Sequence, residues 1–153
     1  MAIRNYIQPP RSRSGPTRFQ SVLVWSALGV AILIQISYPL LNGNALRVIT
    51  FATVLSSSLA MGLHALLTYG RKYAINYLLI TLTFAFTVEQ IGLHTGWPFG
   101  YYKYDQSLGW AIAGVPLIVP FAWTMLAHPL LIAARRINPR WSAVIGGFGL
   151  MAW

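Results

Sequence analysis

Long apolar stretches separated by short polar punctuation run through most of the chain. Four of them, at about 21–41, 48–69, 73–93 and 111–134, reach the roughly 20 residues of helix needed to cross a hydrocarbon core of ~30 Å. A fifth, 141–153, extends only about 20 Å at the helical rise and reads as the start of a further span. Backbone groups in lipid must be satisfied within the segment, so the pattern predicts an all-α, polytopic transmembrane helix bundle with four full spans and an incomplete fifth. Residues 1–18 break the pattern. Arg4, Arg11, Arg13 and Arg18 lie among Pro9, Pro10 and Pro16 with no apolar periodicity, which predicts a disordered basic arm ahead of a transmembrane domain over 19–153. The first span is too long for a signal-peptide core, and no small-residue cleavage site follows it, so it reads as an uncleaved anchor. Asn42-Gly43-Asn44 predicts a tight turn after it. Ser58 with Gly62, and Gly146 with Gly147, would let neighbouring helices approach closely.

Composition sharpens this picture. Hydrophobic residues make up 56% of the 153 and charged residues 8%, with a mean hydropathy of +0.58. A soluble domain carries about 25% charged residues, so that class is excluded. The absence of cysteine removes disulfides, thiolate metal sites and cysteine nucleophiles. The net charge of +9 sets eleven Lys and Arg against only Glu89 and Asp105. With a cytoplasmic N-terminus, the arm's arginines share one side with Arg71, Lys72, Arg135, Arg136 and Arg140, leaving Arg47 and Lys103 on the other. That bias predicts a multi-pass cell-membrane protein with the connection His94–Trp110 on the outer face. Trp97, Tyr101, Tyr102, Tyr104 and Trp110 suit an aromatic belt there. Adhesion to anionic lipid explains the basic arm with fewer assumptions than nucleic-acid binding.

Glu89 is the only acid within a span, and acids at that depth are costly and functional by default. Removal from water disfavours its charged form, and a protonated carboxyl facing an apolar cavity is a suitable general acid. The alternative is a structural Glu bonded to Gln90 or to a neighbouring helix. Asp105 lies in the connecting loop, as a turn residue or as a water-activating or charge-stabilising partner of Glu89. The three histidines, His64, His94 and His128, sit on separate segments, which excludes the clustered histidines of a di-iron oxygenase. His64 and His128 each precede an arginine by seven residues and therefore share a depth. Such a pair fits either haem ligation or a hydrogen bond across the bundle. No phosphate loop, serine-hydrolase elbow, zinc spacing or dinucleotide fingerprint is present, and no metal site is expected.

From the third span onward the order of residues becomes specific: Glu89-x-x-Gly92-x-x-Thr95-Gly96-x-Pro98-Phe99-Gly100-x-Tyr102-x-Tyr104, then Leu108-Gly109, then Gly114-Val115-Pro116-Leu117-x-Val119-Pro120-x-Ala122-Trp123-x-Met125. Over these residues the chain resembles the membrane carotenoid biosynthesis protein family, whose characterised members are carotenoid end-group hydratases. The resemblance implies addition of water, without a cofactor, to the terminal double bond of an acyclic carotenoid end group, giving a tertiary alcohol. Glu89 would then protonate the alkene, with Asp105 the second candidate catalytic acid. Thr95, Phe99, Tyr102, Tyr104 and Trp123 would bind the membrane-embedded substrate, their aromatic faces stabilising the carbocation that water captures. Gly92, Gly96 and Gly100 would permit close approach or unusual backbone angles. Pro116 and Pro120 would kink the fourth helix beside Trp123. In the family the fifth segment continues into an acidic Asp-x-x-x-Asp-Pro-like stretch, so the resemblance also implies a C-terminal truncation here. The alternative is a non-catalytic carotenoid- or isoprenoid-binding membrane subunit.

Overall fold

The computed structural model describes residues 17–97 and 100–152; the expectations for the basic arm and for Phe99 fall outside them. Helix α1 (Arg18–Ser37) opens on a capping box. Thr17 accepts from the Gln20 amide while the Gln20 side chain accepts from the Thr17 amide, so two orphan donors are satisfied reciprocally. A 3₁₀ turn at Tyr38–Leu40 follows, and α2 (Gly43–Tyr69) begins directly after Asn42. The expected turn at Asn42-Gly43-Asn44 is thus shorter, because Gly43 and Asn44 already belong to the helix. Gly70, at φ +89°, reverses the chain into α3 (Arg71–Thr95).

The largest departure from the sequence reading is at the fourth span. Residues from Ala111 form a hairpin rather than a helix: β1 (Ala111–Ile112) pairs antiparallel with β2 (Val115–Pro116). Ala113 and Gly114 both have positive φ, the combination that a two-residue hairpin turn demands. Helix α4 runs Ile118–Ile137, so Pro116 lies in β2 and Pro120 in the first helical turn. Neither kinks the helix: a proline in a first turn lacks an N–H that has no helical partner anyway. The interior proline is Pro129. A short helix, α5 (Ser142–Met151), ends the described chain.

Helices α1–α4 are each long and apolar enough to cross a membrane. The packing order fits a multi-pass protein: α2 lies against α1, α3 and α4, and α4 also contacts α3 and α5. Small residues fill the interior, with Ala60, Ala65 and Ala85 fully buried, while Trp25, Leu33, Ile80 and Phe148 project outward. Where lipid is the solvent, burying apolar area drives nothing, and close backbone approach decides which residues go inside. The Ser58 hydroxyl donates to the Phe121 carbonyl at 2.7 Å, joining α2 to α4. A Cβ on Gly146 would lie 3.7–3.8 Å from Leu131 and Ala134 of α4, so α5 packs there at ordinary contact distance.

Candidate active site

Glu89 sits one and a half turns before the end of α3 and is 6% exposed. Three donors converge on its carboxyl group. The Trp123 indole N–H lies 3.0 Å from Oε1, while the Tyr102 and Tyr104 hydroxyls lie 2.7 and 2.6 Å from Oε2. An indole N–H only donates, whereas a phenol both donates and accepts. The two oxygens are therefore inequivalent: Oε1 is a fixed acceptor, and Oε2 can share a proton with either hydroxyl.

The local sequence explains how three separated residues meet. Gly92 follows Glu89 by one turn, and a Cβ there would stand 2.5 Å from the Tyr102 hydroxyl oxygen. Only a glycine leaves room for that phenol. Gly96, at φ +71°, ends α3 in the left-handed conformation, its amide donating to the Gly92 carbonyl at 2.8 Å. Tyr102 and Tyr104 then lie in non-helical backbone two residues apart, a spacing that turns both rings to one side in an extended segment. Their rings meet edge to face at 5.5 Å. The Gln90 amide donates to the carbonyls of Ile112 and Ala113 at 3.3 and 3.0 Å, tying α3 to the hairpin that launches α4. Trp123 follows in the second turn of α4, with the Phe84 ring edge-on at 6.3 Å.

Burial and the Glu89 carboxyl beside it push the Tyr102 phenol up to about 12, and burial raises Tyr104 as well. Both stay neutral hydrogen-bonding groups at any physiological pH.

Thr95 and Asp105 do not join this cluster. The Thr95 hydroxyl donates to the Ile91 carbonyl and accepts from the Trp97 amide, finishing the end of α3. Asp105 is exposed and caps the 3₁₀ turn Gln106–Leu108, accepting from the Ser107 amide at 2.7 Å. That bond holds its carboxyl below the usual range. Gly100 has φ +85° with open space around it, so its conformation rather than its neighbours requires glycine.

At the other end of α2–α4 lies a second polar cluster. His128, fully buried, has its Nε2 2.9 Å from His64 Nδ1, and its own Nδ1 is 3.4 Å from the Tyr73 hydroxyl. Imidazoles on opposite faces of a haem iron would hold their nitrogens about 4 Å apart, so at 2.9 Å the haem reading gives way to the hydrogen bond across the bundle. Among the described residues, no group of three or more His, Asp or Glu is placed to hold a metal ion. Tyr77 adds a hydroxyl bond to the Thr124 carbonyl.

Sequence reasoning assigned the rings of Tyr102, Tyr104 and Trp123 a cation-facing role but missed that their polar tips all reach Glu89. The Tyr-x-Tyr alternation was the available signal. The roles of Gln90, Phe84 and Tyr77 had none, since each depends on which helix lies opposite.

A model of the family described as "Carotenoid biosynthesis protein" matches residues 49–153, more than half of the chain and all of both clusters. No curated protein and no solved structure matches it.

Proposed function

The chain belongs to the carotenoid biosynthesis protein family, and from that premise we propose that it hydrates the terminal double bond of an acyclic carotenoid end group. The observation that carries this reading is the buried Glu89 held by three donors from two other segments. Glu89, protonated on Oε2, transfers its proton to the less substituted carbon of the alkene, directly or through the hydroxyl of Tyr102 or Tyr104. The π-electron pair forms the new C–H bond and leaves a tertiary cation. A water oxygen attacks that cation and loses a proton, which returns to the Glu89 carboxylate. One water is consumed, and no electrons are gained or lost. General acid–base transfer of this kind contributes about 10²–10⁴-fold to a rate. The Trp123 ring, anchored by its N–H, presents a negative face to the developing cation.

In this reading the N-terminus is cytoplasmic and the Glu89 end opens toward the outer face, where water is available. Arg71, Lys72, Arg136 and Arg140 then stand at the opposite end, beside anionic lipid. Conversion by Glu89→Gln decides the assignment. The amide keeps the side chain's shape and acceptor oxygen but has no acidic proton, so hydroxycarotenoid formation should vanish while membrane insertion is unchanged. Normal product from Glu89→Gln would remove Glu89 from the chemistry.

A further inference from the structure

An apolar groove of about 710 Å³ opens between α2 and α3, walled by Leu55, Leu59 and Leu66 on one side and Ile75 and Leu78 on the other, with Phe121 of α4 also lining it. Resting on the hydratase reading, we propose that this groove holds the polyene stem of the substrate while its end group lies at Glu89.

Three observations select that occupant. First, the groove and the Glu89 site share one face of α3. Arg71, at the far end of the groove, and Glu89 are 18 residues apart, five full turns, and so point the same way. Leu78, on the wall, stands about 16 Å along the helix from Glu89. A stiff conjugated chain lying along that face of α3 would run toward the acid.

Second, the lining offers a ligand nothing polar along its length. The Ser58 hydroxyl is already bonded to the Phe121 carbonyl, and Arg71 stands only at the far end. An unsubstituted hydrocarbon fits such a lining, because no buried polar group is left unpaired by its arrival. Third, the groove opens sideways: Leu55, Leu59, Leu66 and Ile75 are all exposed, so a lipid-dissolved molecule can slide in from the bilayer without crossing a headgroup layer. The acyl chain of a bilayer lipid is the competing occupant.

Gly62 makes the idea testable. It lines the groove, yet a Cβ built there meets nothing within 4 Å. A side chain at this position therefore starts from open space at the groove, and replacing a mid-helix glycine favours the helix. The full chain would be expressed in a host that makes an acyclic carotenoid, purified, and assayed for polyene absorbance per protein. Gly62→Phe should retain about tenfold less polyene than the parent chain, as should Ile75→Trp on the facing wall. Gly62→Ala and Glu89→Gln should retain it fully, the latter without converting it. Undiminished polyene in both Gly62→Phe and Ile75→Trp would overturn the proposal and leave a lipid chain as the occupant. A parent chain that retains no polyene would overturn it too. Polyene retained in the groove but never hydrated would instead count against the hydratase reading alone.

Discussion

The two polar clusters at opposite ends of α2–α4 are built from similar residues to different ends. At the His64–His128 end, two imidazoles and the Tyr73 phenol, one from each of three helices, pair with one another, and Tyr77 bonds the Thr124 carbonyl. Helix packing alone brings them together. At the Glu89 end, one donor comes from a helix and two from a loop, and all three serve a single carboxyl group. A clasp needs only complementary partners at the same depth. A proton-transfer site needs one titratable group whose surroundings are fixed from outside its own helix, and here the motif loop and α4 supply that. On the proposed reading, chemistry belongs to one end and fastening of the bundle to the other.

Several substitutions would break or sharpen that contrast. The largest effect belongs to Glu89→Gln, with a fall in conversion of about 10²–10⁴-fold at unchanged thermal stability in detergent. His128→Ala should do the reverse. It leaves His64 and Tyr73 unpaired around a cavity and lowers the unfolding free energy by about 2–4 kcal/mol, while conversion per folded molecule stays within about twofold. A large loss of conversion in folded His128→Ala protein would erase the distinction between the ends.

Tyr104→Phe removes one of the two hydroxyls on Oε2. A hydrogen bond to a charged group is worth about 1.5–3 kcal/mol, so conversion should fall roughly tenfold or more. Gly92→Ala should cost somewhat less, because its methyl displaces the Tyr102 phenol rather than deleting it. The double variant Gly92→Ala/Tyr102→Phe should be no worse than Tyr102→Phe alone, since the clashing oxygen is gone. Additive losses in that cycle would mean that Gly92 acts elsewhere.

The smallest effect is with pH. Tyr102 ionises at about 12 in the folded protein against an ordinary value of 10.0, so the folded state holds this proton more tightly. Its contribution to stability is complete below about pH 10 and fades as pH rises from there through about 12. Tyrosinate absorbance should show a late-titrating phenol that moves only part of the way back in Glu89→Gln, since burial, the larger cause, remains when the carboxyl group is replaced.

The lengths of the apolar stretches foretold α1, α2 and α3 to within a few residues at each end, because span length and polar punctuation act within one segment. The start of α4 was not legible. Ala111–Leu117 is apolar enough to pass for helix, and only the tertiary bonds from Gln90 and the positive φ at Ala113 and Gly114 reveal the hairpin. Ala113 is the misleading residue, since alanine favours helix and rarely takes φ near +48°. For the site, Glu89 stood out as the one acid in a span, and its aromatic neighbours were named on the resemblance. That Trp123 and both tyrosines direct polar atoms at one carboxyl group depends on how α4 and the loop sit over α3, which no local pattern encodes. The shared depth of His64 and His128 was readable from their spacing to Arg71 and Arg135. Their direct contact was not, because depth leaves the rotation of each helix open.

The most direct test of the account is the mass of the carotenoid recovered from a host that makes an acyclic substrate and expresses either the full chain or its Glu89→Gln variant at matched levels. The account predicts a product heavier by one water from the parent chain and unchanged substrate from the variant. An equal yield of the heavier product from both would contradict it.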